Sequence, residues 1–185
     1  MERELFPEEE IIEGCKKGKR HYQELLYRRF APVMYGVCLS YAKDREQAMD
    51  ILHDAFLKIF RNIDTYKKQG AFEGWIRRIV TNTAIDHTRK NSKTFQFITN
   101  DIPDTEDTDE EKPDIGLNEL LEQVARLPEG ARMIFNLYTL EGMSHYEIAE
   151  KLNISVGTSK SQFSRAKSML RTWVRELIKK KDGLS

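Results

Sequence analysis

Three runs in the first half of the chain repeat apolar residues at spacings of three and four. The first is Leu25, Leu26, Phe30, Val33, Val37 and Tyr41. The second is Ile51, Leu52, Ala55, Phe56, Ile59, Phe60 and Ile63, and the third is Phe72, Trp75, Ile76, Ile79, Val80, Thr83 and Ala84. Such stripes predict amphipathic helices, each needing a partner to cover its apolar side. Gly70 and residues 65–69 part the second from the third. A further stripe, Phe163, Ala166, Leu170, Trp173, Val174 and Leu177, marks a helix near the other end. No sustained two-residue alternation competes. The expected fold class is all-α, with two small helical domains over residues 1–90 and 119–185.

Between them, residues 91–118 lose the helical period and gather Pro103, Pro113 and the acids Asp101, Asp104, Glu106, Asp107, Asp109, Glu110, Glu111 and Asp114. Like charges at that density repel and favour solvated chain, so a flexible acidic linker is expected. Charge changes the picture here. The net charge is zero, but residues 1–90 hold 17 Lys/Arg against 14 Asp/Glu, residues 91–118 hold 2 against 8, and residues 119–185 hold 11 against 8. Two mildly basic blocks thus flank an acidic strip. No stretch has the apolar length of a membrane span. The opening Met1-Glu2-Arg3-Glu4-Leu5-Phe6 carries charge where a secretory leader needs an apolar run, so a cytoplasmic protein is expected. Cys15 and Cys38 form no CxxC, and are expected to be one surface thiol and one small buried hydrophobe.

The C-terminal block holds a helix-turn-helix pattern. Ser144-His145-Tyr146-Glu147 has the spacing of a capping box, and the helix it opens carries Ile148 and Leu152. Asn153-Ile154-Ser155 interrupts, with Ser155 placed to cap a second helix. At about 100° per residue, Lys160, Ser161, Ser164 and Arg165 fall opposite the apolar stripe, with Thr158 beside them. Such a face suits a major groove: cations for guanine, hydroxyls for bases or phosphates. Lys167, Arg171, Arg175, Lys179, Lys180 and Lys181 add charge for the phosphate backbone. A helical hairpin with a solvated basic face is the plainer alternative.

Gly142-Met143-Ser144-His145-Tyr146-Glu147-Ile148-Ala149, then Leu152, Gly157-Thr158-Ser159-Lys160-Ser161 and Ser164-Arg165-Ala166-Lys167, resemble the fourth region of extracytoplasmic-function sigma factors of the sigma-70 family. In that family the region binds the −35 promoter element, which implies that role for Thr158, Lys160, Ser161, Ser164 and Arg165. Ser159 stands where Val is usual and Gln162 where Arg is usual, departures expected to bear on the promoter sequence read.

The N-terminal block carries two further patterns. Asp50, His53, Asp54 and Leu57 share one helix face, able to pair with a basic coiled coil or to lie in solvent. Asp50, His53 and Asp54 could also ligate a divalent ion, but no companion Glu-x-x-His appears, so no metal or cofactor is expected. From Phe72 to Lys90, aromatics lie beside cations, as single-stranded DNA requires, although Trp75 fits core packing better. His87 reads as a polar exposed residue.

Both stretches are similar to the family's second region. The resemblance implies polymerase binding by Asp50, His53, Asp54 and Leu57, and −10 recognition by Phe72, Asn82, Asp86, Arg89 and Lys90, with the loop 68–71. It further implies core RNA polymerase as partner through its β′ clamp helices and β flap, promoter DNA, and an anti-sigma factor. Rival readings are a helical sensor joined to a DNA-binding tail, and a helical metalloenzyme. No Ser/His/Asp set, phosphate loop or HExxH supports an enzyme.

Overall fold

A computed structural model describes residues 6–91 and 115–181, the side chains of residues 89–91 and 117–118 excepted. Most of the acidic strip, residues 92–114, lies outside the described residues. The chain divides into two compact units, Met1–Lys90 and Asn91–Ser185. Among the described residues every regular element is a helix.

The first unit holds α1 (Glu8–Lys16), α2 (Arg20–Tyr41), α3 (Arg45–Asn62), a single 3-10 turn (Ile63–Thr65) and α4 (Phe72–Asn91). Helix α1 follows Pro7 and opens with Glu8, Glu9 and Glu10, with Lys16 in its last turn, charges that suit the helix dipole at each end. Gly14 lets α1 lie close against α2: a Cβ there would sit 2.1 Å from Tyr22 Cγ. The same tyrosine donates from its hydroxyl to Glu10 Oε1 at 2.9 Å. Asp44 caps α3 by accepting from Gln47 N at 2.8 Å, while Gln47 Oε1 accepts from Lys43 N at 2.7 Å.

The three predicted stripes meet in this unit's core, where Leu26, Met34, Tyr41, Ile51, Ile59, Phe72 and Ile76 are almost wholly buried. Val33 departs from its stripe and is 51% exposed. Cys15 and Cys38 are both buried and free, which corrects the expectation of a surface thiol. Burial pushes their thiols up to about 11 and about 12.

The second unit holds α5 (Leu117–Ala125), α6 (Glu129–Thr139), α7 (His145–Leu152) and α8 (Val156–Lys181). Its core joins Val124, Leu127, Ala131, Ala166 and Leu170, with Phe135, Met169 and Trp173 packed against them. Buried Arg132 donates to Ala125 O at 2.8 Å, satisfying a carbonyl at the end of α5. The Arg126 guanidinium lies 4.4 Å from the Trp173 ring centroid. No helix among the described residues is long and apolar enough to cross a membrane.

Candidate nucleic-acid interfaces

The joint between α7 and α8 is built from local hydrogen bonds. Ser144 Oγ accepts from Glu147 N at 3.3 Å, and Glu147 Oε2 accepts from Ser144 N at 2.8 Å and from its hydroxyl at 2.7 Å. These donors, the backbone N–H foremost, hold the Glu147 carboxyl below its ordinary value. Helix α7 stops because Asn153 turns left-handed at φ 54°, a conformation Asn tolerates. Ile154 N then donates to Ala149 O at 3.0 Å. Ser155 Oγ accepts from Thr158 N at 2.9 Å and so caps α8. The tight turn is therefore closed by backbone hydrogen bonds at the end of α7 and by the Ser155 side chain at the start of α8.

The turn sets out a short reading face. Lys160 and Ser161 are exposed, while Thr158, Ser164 and Arg165 are half-buried. Thr158 Oγ1 lies 2.8 Å from Ser155 Oγ, and the Ser161 hydroxyl donates to Thr158 O at 3.1 Å, leaving oxygen lone pairs for a further donor. Ser159 and Gln162 lie on the opposite side, 0% and 3% exposed. Both departures therefore face the interior, and any bearing they have on the promoter sequence is indirect, not through contact with a groove. Running the Ala166–Leu170 stripe back by four and seven positions reaches both, a signal hidden because neither residue is apolar.

In the first unit, Asp50, His53, Asp54 and Leu57 are all exposed on one side of α3, Leu57 at 41%. Two contacts tie this helix to α4. His87 Nε2 lies 2.7 Å from Asp54 Oδ2, and Lys58 Nζ donates to Asp86 Oδ2 at 3.0 Å. His87 is thus not the exposed residue expected, because its ring is held against α3 and is 19% exposed. Asn82 is half-buried and Asp86 exposed, four residues apart on one side of α4. The side chains of Arg89 and Lys90 lie outside the described residues.

Phe72 is corrected as a DNA contact. It is 2% exposed, edge-on to Phe30 at 5.6 Å and stacked on Trp75 at 5.5 Å, so the ring belongs to the core. Trp75 is half-buried over it, also 5.7 Å from Tyr66. In the loop before α4, Lys68 takes a positive φ of 57° and its ammonium reaches Glu9 Oε1 at 3.2 Å. Among the described residues no group of three His, Cys, Asp or Glu could hold a metal ion.

Comparison with known proteins follows the same division. Residues 26–94 match the family model for sigma-70 region 2, and residues 117–170 match that for sigma-70 region 4. The chain is 28% identical to the ECF RNA polymerase sigma-E factor of Haemophilus influenzae, over 95% of this chain and 99% of that protein. It is 27% identical to the ECF RNA polymerase sigma factor SigW of Bacillus subtilis, over 90% and 96%. Among solved structures, the co-crystal structure of the sigma factor RpoE with the anti-sigma factor NepR from Bartonella quintana has a similar fold. The TM-score is 0.51 and the identity 21%, over 85% of this chain and 98% of the matched chain.

Proposed function

Because the chain belongs to the sigma-70 family, in its extracytoplasmic-function branch, we propose that its two units divide promoter reading between them. The chain is a sigma factor that directs core RNA polymerase to promoters. The observation that carries this is the presence of both modules in one chain and in order.

In this reading the α3 side bearing Asp50, His53, Asp54 and Leu57 docks on the β′ clamp helices, its carboxylates facing a basic coiled coil and Leu57 filling an apolar site. Asn82 and Asp86, with Arg89 and Lys90 beyond them, meet the melted −10 strand, cations on phosphate and polar groups on unstacked bases. Asp86 has an internal partner in Lys58, but exposed ion pairs are weak in water and exchange readily when a partner arrives. The Asp54 carboxylate, beside His87, is itself 50% exposed. The first turns of α8 enter the −35 major groove, where Lys160 and Arg165 donate to base edges and the Thr158, Ser161 and Ser164 hydroxyls accept from base amino groups or, by rotating, donate to phosphates. The second unit also contacts the β flap. The protein works in the cytoplasm as an initiation subunit rather than an enzyme, and an anti-sigma factor covers it until it is needed.

Neither reader has to bind tightly alone. Mounted on one polymerase, each raises the effective concentration of the other at its element. Transcription from a promoter library by purified core polymerase tests the reading. Initiation should concentrate on a small set sharing two separated elements once the protein is added. A core enzyme that neither associates with the chain nor gains selectivity would refute it.

A further inference from the structure

The inward side of the first turns of α8 is polar. Ser159 is fully buried and lies between Thr158 and Lys160, two residues of the proposed reading face. A buried hydroxyl needs a partner, and this one has His145 Nδ1 at 2.9 Å. His145 opens α7. Its ring stacks on Tyr138 of α6 at 4.7 Å and 21°, and meets Phe163 of α8 edge-on at 5.5 Å and 65°. Tyr138 and Phe163 are themselves 4.4 Å apart. One imidazole therefore touches α6 and α8 while rooted in α7.

The aliphatic anchors of α8, Ala166 and Leu170, come later along the helix. Apolar and ring contacts tolerate sliding, whereas a hydrogen bond is directional over a few tenths of an ångström. The Ser159–His145 bond is thus a contact able to fix rotation and advance of the turn that carries Thr158, Lys160 and Ser161. Base readout needs the same tolerance, because a donor shifted by about 1 Å leaves hydrogen-bonding range.

We propose that His145, acting through Ser159, is a positioning residue that aims the groove-facing turn of α8 and so sets how sharply the protein discriminates bases of the upstream promoter element. The proposal rests on the sigma-factor reading and deepens it. It assigns specificity to a residue outside the groove-facing turn itself.

The test uses the full chain with core polymerase on a promoter selected by the unaltered protein, alongside copies bearing single-base changes in the upstream element. The readout is the ratio of initiation from matched and changed templates. The unaltered protein should disfavour a change on the order of 10-fold. His145→Phe keeps a ring but loses the bond, and Ser159→Ala removes the other partner. Each should lower the ratio to about 3-fold, with polymerase association unchanged. The double variant should lose no more than either single one, because both act through one bond. A merely structural role would instead depress matched and changed templates alike and leave the ratio intact, which counts against the proposal.

Variants that discriminate as well as the unaltered protein would overturn the proposal, as would losses that multiply in the double variant. Absence of discrimination by the unaltered protein would instead sink the sigma-factor reading on which it stands.

Discussion

Gly14 shows how much one missing side chain decides. Its α carbon lies against the Tyr22 ring, so Gly14→Ala must displace that ring or push α1 off α2, and overpacking of this kind costs about 1–3 kcal/mol. Urea unfolding of the first unit should show that loss, while the second unit is unaffected. His145 gives a residue-scale pH dependence. Burial first, then the Lys160 charge, hold its imidazole below the ordinary value of 6.5; Tyr138 faces it from α6 and Lys160 belongs to α8. The folded state therefore binds fewer protons than the unfolded one between the two values. The His145 contribution to stability of the second unit is complete above about 6.5 and falls as pH drops through that window toward the folded value. His145→Phe should flatten this slope in urea titrations followed at Trp173 in a Trp75→Phe background. Residue roles were the least legible part of the sequence. Periodicity identified faces, but it could not tell that Phe72 lies under Trp75, that His87 reaches Asp54, or that polar Ser159 and Gln162 complete a buried side.

Helices were legible because apolar spacing and turn chemistry agree. The stripes anticipated α2, α3 and α4, and the capping box at Ser144 and the cap at Ser155 both formed as their spacing required. Helix α5 escaped because its nine residues follow directly on the acidic strip and give too short a period to stand out. Ser155→Ala removes the hydroxyl that accepts from Thr158 N, and should cost about 1 kcal/mol of stability in the second unit by thermal or urea unfolding. Opposite faces of different helices should also separate genetically. Arg165→Glu on α8 is expected to weaken promoters that depend on the upstream element and leave polymerase association intact. Asp54→Lys on α3 should reduce polymerase association first, at every promoter alike. Equal impairment of one step by both would contradict the division of labour.

Across the whole molecule, zero net charge gives the chain little sequence-independent pull toward DNA, despite basic flanking blocks. The isolated chain is expected to bind promoter DNA weakly at physiological salt, and core polymerase to make binding specific in a mobility-shift titration. Tight specific binding by the protein alone would count against this. Each unit buries its own core, so the two need not fail together. Leu170→Asp would melt the second unit and leave the first able to occupy polymerase. Such a chain is not merely inert. Co-expressed with the intact protein, it would sequester the enzyme in unproductive complexes, and a single defective copy would act as a dominant decoy.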